Sequence, residues 1–371
     1  MPADPLQPLQ RLSALGQSVW VDFLSRESIR GGHLQKLIDD FAVVGATSNP
    51  SIFEKAMTAG DAYDEQLAEL IASGADAEAA FWALAEQDIR EACDVFRPTY
   101  DAGNGRDGYV SIEVDPRLAY DSLRTFREAM RLHESVDRPN LMVKIPATKP
   151  GLGAIEDAIA KGRSINITLI FSLRRYAEVA ESYIRGLERL VAEGGDPRPV
   201  ASVASFFVSR IDTEADKRLE AIGGHDDLLG KLAIANAKLA YKHYQEAFSG
   251  PRWDFLAGKG ATPQRVLWAS TSTKNPAYPD VIYIEELLGP DTVNTVPEDT
   301  IKAYQDHGEP EPRLVQGIEE AERVFELLEA AGVDYVDVTE TLEREGVDKF
   351  SQAFAELTDS LAQKYATLTP A

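Results

Sequence analysis

Short bursts rich in Val and Ile recur along this chain, and the stretches between them carry their apolar residues at helical spacing. The bursts fall at 18–24, 42–47, 109–114, 141–146, 164–171, 199–207, 265–270 and 291–296. Amphipathic stretches over 63–95, 119–135 and 173–193 are examples of what separates them. Eight strands alternating with helices over 371 residues predict an α/β fold, a (β/α)8 TIM barrel. A doubly wound sheet shares the alternation, so the count alone does not separate the two. A long gap lies between the sixth and seventh strands, where 212–249 reads as an insertion of two helices. A final helix over about 351–365 is expected to pack across the barrel. No linker, repeat or low-complexity tract interrupts the chain, so 1–371 is read as one barrel domain.

The alternation inside the strands says more than their number. In Tyr109-Val-Ser-Ile-Glu-Val114, the residues Val110, Ile112 and Val114 share one face, while Tyr109, Ser111 and Glu113 share the other. In Leu141-Met-Val-Lys-Ile145, Met142 and Lys144 stand opposite three aliphatic residues. Ser164, Asn166 and Thr168 do the same in the next burst, and Asp22 sits between Val21 and Phe23. In a parallel barrel the apolar faces pack outward against helices, so these polar faces must point inward. Barrel interiors usually hold branched apolar residues, and a polar lining is costly unless it serves a site. The polar faces therefore mark the mouth of the barrel.

Charge and cysteine content narrow the chemistry. A formal charge of −23 argues against a nucleic-acid partner, which needs clustered Lys and Arg. An anionic metabolite stays possible, because salt screens the global charge beyond about 8 Å and a local basic pocket then dominates. Cys93 is the single cysteine, and no Cys/His spacing suits zinc. Residues 1–18 lack the apolar core of a signal peptide, and no run approaches a membrane span. The expected setting is the cytoplasm, without a membrane partner.

Lys144 is the sharpest single signal, because lysine is rarely buried without a reason and its strand is otherwise wholly apolar. Burial disfavours the charged form of a lysine, and the neutral amine is the nucleophile for a ketone carbonyl. Asp22 and Glu113 are the carboxylates on inward faces; they either balance Lys144 or shuttle protons for it. Asn49, in Ala46-Thr-Ser-Asn-Pro-Ser51, has the position of a helix N-cap ahead of Pro50. The cap and a hydrogen bond to substrate are compatible if that strand end faces the mouth. Thr168 and Ser205 are short polar residues at inward strand ends. Arg210 and Lys274 follow the sixth and seventh strands, where barrel loops commonly bind phosphate, although a lone basic residue is more often solvated surface. The pairs Gly31-Gly32 and Gly223-Gly224 read as turns, and neither belongs to a nucleotide fingerprint.

These residues resemble the transaldolase family of the pentose phosphate pathway. The resemblance runs from Val19 to about Asn294. It is carried by Val21-Asp-Phe23, Thr47-Ser-Asn-Pro-Ser51, Ser111-Ile-Glu-Val-Asp-Pro-Arg-Leu118, Met142-Val-Lys-Ile-Pro-Ala147, Asn166-Ile-Thr-Leu-Ile-Phe-Ser172 and Ser205-Phe-Phe-Val-Ser-Arg210. It implies a class I aldolase-type barrel with Lys144 as the Schiff-base lysine on the fourth strand. By the same resemblance Asp22 takes the proton of the substrate C4 hydroxyl, and Glu113 with Thr168 handles a catalytic water. Asn49 and Ser205 would hydrogen-bond the dihydroxyacetone unit, and Arg210 would hold phosphate. Well-known members supply an arginine after the seventh strand. Here Trp268-Ala-Ser-Thr-Ser-Thr-Lys-Asn275 offers Lys274 one position displaced, with Ser270 as a further substrate-binding candidate. The chain is also longer, chiefly after the sixth strand. The activity implied is reversible transfer of dihydroxyacetone from sedoheptulose 7-phosphate or fructose 6-phosphate to an aldose phosphate, with sugar phosphates as partners and no cofactor or metal. The nearest alternative is a fructose 6-phosphate aldolase, a shorter family that lacks the glutamate matched by Glu113. A catalytically dead binding scaffold would show damage among Asp22, Asn49, Glu113, Lys144 and Thr168, yet all five are present. The resemblance leaves the oligomeric state open.

Overall fold

The computed structural model describes residues 6–368. Eight parallel strands close into a barrel in chain order: β1 (Gln17–Val21), β2 (Val43–Thr47), β3 (Val110–Glu113), β4 (Leu141–Pro146), β5 (Ile165–Ile170), β6 (Ser202–Phe207), β7 (Arg265–Ala269) and β8 (Thr292–Val296). All eight fall on the expected bursts, and pairing of β1 with β8 decides for a barrel over an open sheet. Apart from half-buried Val44, every strand residue is buried, as expected for parallel strands covered on both faces. Gly45 is required by packing rather than by its backbone: a Cβ there would stand 2.7 Å from the Trp20 ring.

The register sets the polar layers. Ser111 pairs with Met142, Glu113 with Lys144, and Lys144 with Asn166, so the inward residues of β3, β4 and β5 lie side by side. At the N-terminal ends of the strands the interior is plugged by Arg265. Its guanidinium donates to Ser18 Oγ at 2.8 Å and pairs with Asp107 at 2.9 Å. A polar interior residue there closes the floor, which leaves the opposite end free to open.

The helices depart from expectation in places. The stretch 63–95 is two helices, Asp64–Ala72 and Ala77–Ala102. Gly74 turns left-handed at φ +88°, and Asp76 then caps the second helix by accepting from Ala79 N at 2.8 Å. The insertion begins three residues early, at Ser209–Ile222, turns at Gly223-Gly224 and continues as Leu232–Ala247. A further short helix, Gly250–Ala257, follows it. The last helix is longer than 351–365, running over Tyr335–Leu368. Val338, Leu342, Val347, Phe350, Phe354, Leu357 and Leu361 form its buried stripe. Of the N-terminal stretch 1–18, residues 1–5 lie outside the described residues. No helix among the described residues is long and apolar enough to cross a membrane.

Candidate active site

At the C-terminal ends of the strands lies a cavity of about 210 Å³. Asp22, Asn49, Lys144, Thr168, Ser205, Arg210, Ser270 and Lys274 all line it. Residues separated by up to 252 positions (22 to 274) meet there because each ends or follows a barrel strand. Glu113, the remaining candidate, sits just behind Lys144 on the neighbouring strand. A surface groove of about 740 Å³ elsewhere is larger, but its Arg117 and Arg131 are already paired with carboxylates.

Lys144 is 5% exposed. Its Nζ donates to the carbonyl of Ser48 at 3.0 Å and stands 3.3 Å from Glu113 Oε2. Glu113 is buried as well, and neither of its oxygens has a directed hydrogen bond among the described residues. Thr168 Oγ1 is buried and unpartnered in the same way. The backbone explains how Thr168 reaches the cavity. The β5–β6 register slips between Ile167 and Ile170, and Leu169 adopts φ +59°, a left-handed conformation that is strained for leucine.

On the opposite wall, Asp22 accepts from Thr47 Oγ1 at 2.7 Å, and Thr47 also bonds Thr295. Burial raises the Asp22 carboxyl above the ordinary aspartate range, opposed first by Lys144 and then by the Thr47 hydrogen bond. Glu113 is raised for the same reason, again opposed by Lys144. Asn49 keeps both of the roles open to it. Its Oδ1 caps the helix Pro50–Thr58 by accepting from Ile52 N at 3.1 Å, which leaves the amide nitrogen for a ligand. Ser205 donates to Asn166 Oδ1 at 2.7 Å, and Asn166 donates to Ser111 Oγ at 3.0 Å. With its proton committed, the Ser205 oxygen can accept from a bound hydroxyl.

The far end of the cavity is positive. Arg210 lies in the first turn of the helix Ser209–Ile222, its guanidinium 5.2 Å from the Phe207 ring centroid. Among the described residues it has no ion pair or hydrogen bond, and burial lowers its pKa. Lys274 reaches the rim, held to Ser272 Oγ at 2.7 Å; burial and neighbouring Arg210 lower its pKa too. Two neighbouring cations without a carboxylate partner form a site for an anion, which a helix N-terminus also favours. Ser270, at φ +57°, turns the chain toward them and bonds Ser209 Oγ at 2.9 Å.

Sequence reasoning missed Thr47, Ser48, Phe207, Ser272 and Phe350 as parts of this site. Thr47 and Ser48 stood inside a quoted motif, but Ser48 contributes a carbonyl, for which no side-chain signal exists. Among the described residues no three His, Cys, Asp or Glu side chains gather as a metal set.

The chain is similar to known proteins over nearly its whole length. The family model described as "Transaldolase/Fructose-6-phosphate aldolase" matches residues 19–361. The chain is 53% identical over 357 residues to a protein named transaldolase from Saccharopolyspora erythraea, covering 96% of this chain and 97% of that one. A protein of the same name from Thermobifida fusca is 52% identical over 365 residues, covering 98% and 99%. One from Mycobacterium leprae is 50% identical, covering 94% of each chain.

Proposed function

This chain belongs to the transaldolase/fructose-6-phosphate aldolase family, and from that premise we propose that it is a transaldolase working through a Schiff base on Lys144. The observation that carries the reading is the position of the Lys144 amine, 3.3 Å from buried Glu113 and facing a cavity that Asp22 also lines and whose far end holds two cations without a carboxylate ion pair. In this mechanism a ketose phosphate, sedoheptulose 7-phosphate or fructose 6-phosphate, binds with its phosphate toward Arg210 and Lys274. Lys144 in its neutral form attacks the C2 ketone and gives a carbinolamine. Glu113 and Thr168, with their unsatisfied oxygens, hold a water between them and help hydroxide leave. The protonated imine is then an electron sink. Asp22 takes the C4 hydroxyl proton, the C3–C4 bond breaks and the aldose departs. The three-carbon enamine stays on Lys144, held by Asn49 and Ser205. An aldose phosphate, glyceraldehyde 3-phosphate or erythrose 4-phosphate, is attacked by enamine C3, and Asp22 returns its proton to the new hydroxyl. Hydrolysis releases the new ketose.

The same reading makes the chain a single barrel domain over 1–371, acting in the pentose phosphate pathway of the cytoplasm. Its partners are sugar phosphates, and the chemistry draws on side chains alone. An aldolase that releases dihydroxyacetone is not favoured, since Glu113 is present and the relatives named transaldolase match over nearly their full length. The test is to supply fructose 6-phosphate with and without erythrose 4-phosphate. Sedoheptulose 7-phosphate should form only when the acceptor is present. Free dihydroxyacetone, formed at a rate indifferent to the acceptor, would overturn the assignment.

A further inference from the structure

The helix Tyr335–Leu368 lies outside every strand motif, yet it supplies part of the cavity wall. Phe350, 6% exposed, puts its ring centroid 5.9 Å from Lys144 Nζ. The helix is pinned along its length. Arg218 pairs with Asp337 at 2.7 Å and Arg175 with Glu343 at 3.2 Å, while the Arg117 guanidinium stands 4.8 Å from the Phe354 ring centroid. Lys364 closes the far end on Asp64 at 2.6 Å. At Gly346 the helix meets Leu169, the strained residue that follows Thr168. A Cβ on Gly346 would stand 3.0 Å from Leu169 Cδ2, so the leucine methyl or the helix would have to give by a few tenths of an ångström.

Resting on the Schiff-base reading above, we propose that Phe350 determines whether the three-carbon unit on Lys144 is transferred or released. Once the aldose has left, enamine C3 has two competing fates. Attack on an aldehyde forms the new C3–C4 bond, and the aldehyde oxygen takes the proton held by Asp22. Protonation of C3 from water instead gives the imine of dihydroxyacetone; water adds at its C2, the C–N bond breaks, and free dihydroxyacetone and the Lys144 amine result. An apolar ring over Nζ keeps bulk water from that side of the adduct, leaving the aldehyde acceptor as the favoured electrophile.

The experiment measures, for each variant, the ratio of free dihydroxyacetone to transferred ketose with fructose 6-phosphate and erythrose 4-phosphate. Phe350→Ala should raise the ratio about tenfold, whereas Phe350→Leu, which keeps the wall apolar, should stay within about twofold of the parent. Gly346→Ala replaces no residue of the cavity lining but crowds Leu169 four residues before Phe350, and should shift the ratio the same way to a lesser degree. It decides the matter if Phe350→Ala does not fold. Release and transfer falling in proportion in Phe350→Ala, or an unchanged ratio in Gly346→Ala where the former does not fold, would overturn the proposal. Borohydride trapping in parallel separates the two readings. An adduct on Lys144 with an unmoved ratio rejects the role of Phe350 alone; no adduct in the parent rejects the Schiff base itself.

Discussion

Burial acts in opposite directions on the two kinds of charge that meet around Lys144. It holds protons on Asp22 and Glu113 to higher pH and weakens the hold of Arg210 and Lys274 on theirs. Because Asp22 must be ionised to accept the C4 proton, the acid limb of kcat/KM should lie above the ordinary aspartate value of about 3.9. Asp22→Ala should still form the imine but cleave it about two to four orders of magnitude more slowly. Single-turnover kinetics separates these steps, and near-normal cleavage would make Asp22 a counter-ion only. At the phosphate end, Arg210 offers a planar fork while Lys274 is a point charge at the rim. Arg210→Ala should therefore cost more than Lys274→Ala. A charge-assisted contact contributes about 1.5–3 kcal/mol, or roughly one to two powers of ten in kcat/KM. The loss should appear with glyceraldehyde 3-phosphate and not with plain glyceraldehyde; equal losses on both would assign the residue to the fold. Asp22, Glu113 and Lys144 were legible in the sequence because an ionisable residue on the inward face of an apolar strand is costly to bury unless it serves a site. Phe350 was not, since an aromatic residue on a helix reads as core.

The helix Ser209–Ile222, which carries Arg210, also fixes the segment that follows Lys274. Asp212 and Asp216, one turn apart, accept from Tyr283 at 2.7 Å, in the short helix Ile282–Glu286, and from Tyr278 at 2.6 Å in the loop before it. Their second oxygens accept from Ala233 N at 2.7 Å and Gly230 N at 2.9 Å in the insertion. Burial pushes Asp212 up to about 7 despite those donors. The folded chain therefore keeps a proton that the unfolded chain loses near pH 4, and the contribution to stability is full below about 4 and fades as pH rises to about 7. Asp212→Asn removes the titration, so its unfolding midpoint should fall less between pH 5 and 8 than the parent's. Parallel curves would show that Asp212 stays ionised when folded. At this scale the sequence was readable where periodicity was clean, as over 173–193, observed as Leu173–Ala192. It misled where local signals competed. Ser73-Gly74 breaks an apparently continuous helix, and the charged run Glu343-Arg-Glu345 with Gly346 hides the first half of the last one.

Closure of the barrel is a property of the whole molecule, and it is what turns separate strand ends into one site. The number and place of the strands were readable from composition and alternation, whereas closure rests on β1 meeting β8, a contact between residues such as Val19 and Asn294 that no local pattern encodes. The same long-range assembly sets a positive pocket into a chain of formal charge −23, a contrast that screening makes possible beyond about 8 Å. It also isolates one amine. Among the described residues Lys144 is the only lysine carried on a strand, and its register neighbours on β3 and β5 are Glu113 and Asn166, with Thr168 two positions further along β5. The most direct measurement is therefore covalent. Borohydride added with fructose 6-phosphate should reduce the imine and leave a three-carbon unit on the enzyme, with peptide mapping placing it on Lys144. An adduct mapped to any other lysine, or full turnover with no adduct, would contradict the central claim.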